Sequence, residues 1–223
     1  MSFFCPCARS SPPCTGLAER SSRPVETKGE MRRRLRRRRR EILPSYRRAA
    51  ERRVAAAALA WVRRCQARRV ACYLDADGEI PTRGVLQALQ ERGTELYLPA
   101  LGRGGRALEF RRHRPGGPLR PNRYGLPEPP PSAARSLPPG ALGAVFLPLV
   151  AFDAEGRRLG MGGGYYDATF AFLRRWPWRP PQLVGLAYAC QQVAQVPGAQ
   201  WWDVPLQGVI TERGCAILSR RSR

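Results

Sequence analysis

The chain has 223 residues and 43% hydrophobic content, enough for one sizeable α/β domain or two small ones with a real core. Its formal net charge of +22 points toward an anionic partner, yet residues 28–53 alone hold 13 Lys/Arg against 3 acids, so the remaining body is basic without being extreme. No apolar run approaches the ~20 residues of a membrane helix, the seven cysteines include no CxxC pair, and the single histidine, His113, leaves no material for a His-dependent triad.

Residues 1–27 are rich in Ser, Pro, Cys and Arg, show no periodicity, and read as a disordered extension. Their arginine and serine content also admits a weak organelle transit peptide, so the expected compartment is the cytoplasm with the mitochondrion as the alternative. From Lys28 onward, Met31, Leu35 and Ile42 fall on one helical face among nearly continuous arginine. Pro44 is expected to end this helix and Ser45 to cap a second one over 46–64. Tyr46, Ala50, Val54, Ala57, Ala58, Trp61 and Val62 form that helix's apolar stripe. The Arg32–Arg40 run has three readings: a solvated helix face, a nucleic-acid patch or targeting signal, or cations folding back onto a triphosphate.

Val70-Ala-Cys-Tyr-Leu74 reads as a short strand running into the polar loop Asp75-Ala-Asp-Gly-Glu79. A helix is expected over 82–92 with Gly93 in its C-cap position, then a strand over 95–98 closed by Pro99. This strand–helix–strand unit predicts two parallel neighbours. Residues 108–111 suggest a further strand, and 113–140 are proline-rich loops. The apolar run 144–150 is of strand length, residues 165–175 read as a helix, and strands follow at 183–187 and 207–211, the latter taken as the last of the core. The order implies an α/β fold with a mainly parallel sheet in one domain over 28–223, preceded by N-terminal helices.

One stretch stands apart: Arg157-Arg158-Leu159-Gly160-Met161-Gly162-Gly163-Gly164-Tyr165-Tyr166-Asp167. Glycines between a strand and a helix start let anion oxygens approach unpaired backbone N–H groups, and Asp167 is placed to hold a Mg²⁺ ion that accompanies phosphates. The loop is neither a P-loop, since no G-x-x-x-x-G-K-[ST] occurs, nor a G-x-G-x-x-G fingerprint, since Tyr165 occupies the last glycine position. Asp153 upstream, Arg157 and Arg158 at the entrance and Asp167 at the exit give the loop its chemical context.

Read with its flanks, Leu147-Pro-Leu-Val-Ala-Phe-Asp153 through Tyr166-Asp167 closely resembles the signature of the 5-formyltetrahydrofolate cyclo-ligase family, also called methenyltetrahydrofolate synthetases. Lys28-x-x-x-Arg32-x-x-Leu35 is similar to the family's ATP-contacting helix, and Tyr73-Leu-x-x-x-x-Glu79-Ile to its folate-contacting strand end. Asn122-Arg-Tyr-Gly-Leu-Pro-Glu-Pro129 and Trp202-Asp203-Val-Pro-Leu206 also look familial, so the resemblance runs over about residues 28–218. One departure is Gly163, where some members carry Lys. A direct cation to phosphate is then missing, and Arg158 or the Lys28–Arg40 helix must supply it.

The resemblance implies a single three-layer α/β/α domain of the NagB/RpiA-like kind. It also implies ATP- and Mg²⁺-dependent ring closure of 5-formyltetrahydrofolate to 5,10-methenyltetrahydrofolate, releasing ADP and phosphate. In that chemistry the formyl oxygen attacks the γ-phosphate, the substrate's own N10 adds to the activated carbon, and phosphate leaves. The protein mainly aligns two ligands and neutralises moving charge, so no His or Cys nucleophile is required. By resemblance, Lys28, Arg32 and the segment Arg158, Leu159, Gly160, Met161, Gly162, Gly163, Gly164, Tyr165 and Tyr166 would hold ATP. Leu74, Glu79 and Met161 to Tyr165 would contact the folate. Asp167 and Asp203 would bind Mg²⁺, and Arg158, Tyr165 and Asp167 would carry catalysis. Plainer readings stand beside these: Glu79 as a loop carboxylate, Asp203 as a helix cap, and one of Tyr165 and Tyr166 as packing. The expected partners are the two small molecules, with no membrane and a monomeric chain. A basic RNA-binding module using the arginine helix is the rival reading, weakened by the lack of interleaved aromatics. The intact loop and Asp203 argue against a catalytically dead relative.

Overall fold

The computed structural model describes residues 26–218, apart from 103, 115, 132–135 and 178. The expected disordered extension therefore lies outside the described residues, except for Glu26 and Thr27. These two belong to a helix start: the Thr27 hydroxyl accepts from Glu30 N at 3.3 Å, and the Glu30 carboxylate accepts from Thr27 N at 2.9 Å.

Helix α1 (Lys28–Arg40) and α2 (Pro44–Arg64) lead into β1 (Arg69–Ala71), α3 (Arg83–Glu91), β2 (Glu95–Leu101) and β3 (Leu108–Arg112). Three two-residue strands follow, β4 (Arg120–Pro121), β5 (Pro127–Glu128) and β6 (Ser136–Leu137). The rest is β7 (Ala144–Pro148), β8 (Ala151–Phe152), β9 (Arg158–Leu159), α4 (Tyr165–Thr169), β10 (Gln182–Leu186), β11 (Gly208–Thr211) and β12 (Gly214–Ile217). Eight strands form one sheet in the order β12-β11-β10-β7-β1-β2-β3-β6. The five from β11 to β2 are mutually parallel, β1 and β2 among them in the register Val70↔Leu96, while β12, β3 and β6 are antiparallel additions at the edges.

Both sheet faces are covered. On one side α2 and α3 bury Val54, Ala58, Trp61, Val85 and Leu89 against Val70, Phe146, Val184 and Ile210. On the other, Phe170 and Leu173 pack with Phe110, Val145, Leu147, Leu183 and Val209. The strands buried on both faces are the ones whose sequences are continuously apolar. The α/β class and mainly parallel sheet thus agree with the sequence reading.

Several details differ from it. Pro44 opens α2, in whose first turn its missing N–H costs nothing, and Ser45 makes no cap. Helix α1 ends before Ile42, so its third inward position after Met31 and Leu35 is Arg39, 1% exposed. Strand β2 continues through Pro99 to Leu101 because β1 pairs only as far as Tyr97. The N–H of Leu101, two residues on and so facing the same way, leaves the ladder for Glu128 at 3.0 Å, and Pro99 therefore interrupts nothing. The strand 207–211 is not the last, since β12 pairs antiparallel outside it. The single helix expected over 165–175 is a five-residue α4 followed by a 3₁₀ turn, Ala171–Arg174. Thr169 interrupts it: its hydroxyl bonds back to Tyr165 O at 2.6 Å and accepts Leu108 N at 2.8 Å.

Candidate active site

The parallel strands release their chain at one edge of the sheet, where open α/β folds bind ligands. From β1 the chain enters the 74–79 loop, from β10 it reaches Tyr188, and from β7 it enters the β8–β9 hairpin. This hairpin stands between the apolar strand and the glycine loop, which the sequence reading had joined directly. Buried Asp153 closes it, accepting from Glu155 N, Arg157 N and Nε, and Val196 N at 2.6–3.1 Å. Arg157 is thereby turned toward Asp153 and Glu155, away from any anion at the loop.

The loop that follows is shaped by glycine geometry. Gly162 and Gly164 have φ of +100° and +69°, a region costly for other residues, and the space beyond Gly160 is open. A side chain at Gly163 would meet the Tyr165 ring at 2.8 Å. Helix α1 lies over this loop, seated by Met31 and Leu35 against Val150, Ala151, Leu159 and Val196. That seat brings Arg32 to donate through Nε to Gly160 O at 2.8 Å, and lays Lys28 along Gly198. Arg106, from the β2–β3 connection, approaches Gly164 from another side.

At the loop exit, Arg158 donates to Asp167 Oδ1 at 2.6 Å and to the Val204 carbonyl, and Val204 N donates to the same Oδ1 at 3.0 Å. Asp203 is the neighbouring residue and accepts Gln200 N at 2.9 Å, closing a turn rather than capping a helix. The Tyr165 hydroxyl is 2.7 Å from Tyr124 Oη and accepts from Arg123 at 2.5 Å, contacts that hold its phenol below the usual range. Both partners sit at the tip of the β4–β5 hairpin, which Glu128 and buried Arg111 tie to the sheet. Tyr166 stacks on Phe170 at 6.4 Å between ring centroids, and burial raises its phenol well above the usual range.

The 74–79 loop closes the other side. Glu79 is 12% exposed in its side chain, accepts Ala76 N at 3.1 Å and lies 3.5 Å from Arg39. Burial pushes its carboxyl up to about 7, with Arg39 pulling the other way. Leu74 is half-buried against the α2–α3 core. The Tyr73 hydroxyl is buried without a partner among the described residues.

With this geometry in view, the chain can be compared with known proteins. The sequence profile of the 5-formyltetrahydrofolate cyclo-ligase family matches residues 24–212. The chain belongs to this family. It is 38% identical over 187 residues to the 5-formyltetrahydrofolate cyclo-ligase of Haemophilus influenzae, covering 83% of this chain and 98% of that one. Against the Escherichia coli K12 cyclo-ligase the figures are 40% over 147 residues, 65% and 78%. The solved structure of Aquifex aeolicus 5,10-methenyltetrahydrofolate synthetase superposes with a TM-score of 0.68 at 27% identity, covering 88% of this chain and 94% of that one. The chain is thus an enzyme of the cyclo-ligase family with a folate substrate.

The site residues anticipated from the family resemblance gather in two groups. Arg32 meets Gly160 and Arg158 pairs with Asp167 at the loop exit, while Lys28 lies against Gly198, Asp203 adjoins Val204, and Leu74 and Glu79 lie in the chain that follows β1. Arg39, Arg106, Arg123 and Tyr124 were not anticipated as site residues. Arg123 and Tyr124 fall inside the familial Asn122–Pro129 motif, which was the available signal; Arg39 and Arg106 carried none. The donor set fits Mg²⁺: Asp167 uses one oxygen, and its Oδ2 has no hydrogen bond among the described residues. No group of three or more His, Cys, Asp or Glu poised for a metal occurs among the described residues. Mg²⁺ needs none, since one or two carboxylates with phosphate oxygens and water complete its shell.

The arginine run also resolves into contacts. Arg34 pairs with Glu26, while Arg36, Arg39 and Arg40 converge on Asp77, whose carboxyl is held below its usual range by their hydrogen bonds despite burial. Nothing supports an RNA interface there. No described helix is long and apolar enough to cross a membrane.

Proposed function

We propose that the chain closes 5-formyltetrahydrofolate to 5,10-methenyltetrahydrofolate with consumption of ATP, the phosphates lying over Gly160–Gly164. What carries this reading is the convergence of Arg32, Arg106 and the Arg158–Asp167 pair on one glycine backbone. Such a loop admits two ligands to the same few peptide groups.

In this scheme Lys28, Arg32 and Arg106 supply the phosphate cations, taking the place of the lysine that other members carry at Gly163. Arg158 donates to Asp167 and to the Val204 carbonyl, and its part is to fix the Asp167 carboxylate. Asp167 and Asp203 would hold Mg²⁺, which when bound neutralises charge on the transferring phosphoryl group. Tyr165, held by Arg123 and Tyr124, lines the space between nucleotide and folate, and Tyr166 packs the loop down. Leu74 and Glu79 receive the pterin, Glu79 accepting its N–H donors. The formyl oxygen takes the γ-phosphoryl group, N10 adds to the carbon, and phosphate departs. Water is kept away by the seated α1 and the β4–β5 tip. We read the cytoplasm as the compartment.

The test is the near-ultraviolet absorbance of methenyltetrahydrofolate on mixing purified protein with 5-formyltetrahydrofolate and MgATP. Product formation that requires both ATP and Mg²⁺ is expected. Product without ATP, or none with it, overturns the reading.

A further inference from the structure

We propose that Arg39 is a positioning residue for the folate end of the site, holding the Glu79 carboxylate in the orientation and charged form that pterin N–H donors require. The proposal rests on the reading of Glu79 given above.

Helical spacing from Met31 and Leu35 calls for a third apolar side chain at 39. The chain places an arginine there and buries it to 1% exposure. A guanidinium so buried is tolerable only when its donors are matched. Arg39 donates through Nε to Asp77 O at 3.1 Å, through Nη1 to Leu149 O at 3.3 Å and through Nη2 to Asp77 Oδ2 at 3.0 Å. Its Nη1 also lies 3.5 Å from Glu79 Oε1. The guanidinium therefore braces the whole turn from Asp77 to Glu79 against the end of β7.

Apart from the Ala76 N–H, which donates to its carboxylate at 3.1 Å, the other groups around Glu79 give its charge no support. Asp75 and Asp77 on its own loop are acidic, and each raises its affinity for a proton. Tyr73, just past β1, and Tyr166 from α4 are neutral phenols, and Tyr188 donates to the Glu79 backbone carbonyl at 3.5 Å, not to its carboxylate. Arg39, reaching across from α1, is the counter-charge. The same helix carries Arg32 to the glycine loop. One rigid element thus touches both ligand sites.

The test compares Arg39→Met, Arg39→Lys, Glu79→Gln and the Arg39→Met/Glu79→Gln double variant by steady-state kinetics across the neutral pH range. In Arg39→Met, KM for 5-formyltetrahydrofolate should rise about tenfold and the acid limb of kcat/KM for folate should move up by about one pH unit. KM for ATP should stay within about twofold. Arg39→Lys should keep the limb at its original pH, and Arg39→Met should add nothing to the loss in Glu79→Gln. Equal rises in both KM values with an unmoved acid limb would overturn the proposal, as would additive losses. Should the methionine variant not fold, a shifted limb in Arg39→Lys overturns it and an unshifted limb with a raised folate KM supports it. If Glu79→Gln binds folate normally while turnover continues, it is the reading of Glu79 that fails, not the activity.

Discussion

Asp167 has one oxygen committed to Arg158 and Val204 and the other without a hydrogen bond among the described residues. Asparagine can keep the bond from Val204 N but offers no anion to Arg158 or Mg²⁺. Asp167→Asn should lower turnover by at least about 10²-fold with an unchanged far-ultraviolet circular dichroism spectrum. Near-normal turnover would remove the metal role. Glu79 gives a pH signature of its own. Its ordinary value is 4.5 and its folded value about 7, so the native state binds the proton more tightly. The stabilisation from that proton is complete below about 4.5 and is lost as pH rises through about 7, on the order of 3 kcal/mol in all. Thermal melts of Glu79→Gln should therefore show it gaining on the parent as pH rises, and an advantage independent of pH would refute this account. The glycine loop and Asp167 were legible in the sequence because backbone freedom and charge beside a strand end are local signals, and Glu79 was singled out through the family resemblance. Arg39 was not, since an arginine reads as solvent-facing and its partner Asp77 is 38 residues away.

At the scale of elements, α1 owes its apolar seat to Met31 and Leu35. Leu35 is 2% exposed and packs on the β8–β9 hairpin. Leu35→Ala should cost about 2–5 kcal/mol by cavity formation and raise KM for ATP and folate together, because both ends of the helix loosen. Chemical denaturation and two-substrate kinetics check this; a rise for one substrate alone would separate the two ends. The apolar stripe of α2 was readable from periodicity, and β7 and β10 from their continuous apolar runs. Element ends were less so. Pro44 and Pro99 look like stops, and whether a proline stops a strand depends on where the neighbouring strand ends, which only the assembled sheet decides.

Taken whole, the molecule spends much of its charge internally. At least Arg34, Arg36, Arg39 and Arg40 of the basic helix are paired with carboxylates, so the 39 Lys/Arg overstate the cations free to meet a polyanion. RNA binding should accordingly be weak and fall away steeply between low and physiological salt, as measured by filter binding at several salt concentrations. Tight, salt-insensitive binding would contradict this.

The bond from Arg32 to Gly160 spans 128 residues of chain. During synthesis this helix emerges before its berth, which exists only once the β8–β9 hairpin has been made. The helix thus takes its seat on chain made long after it.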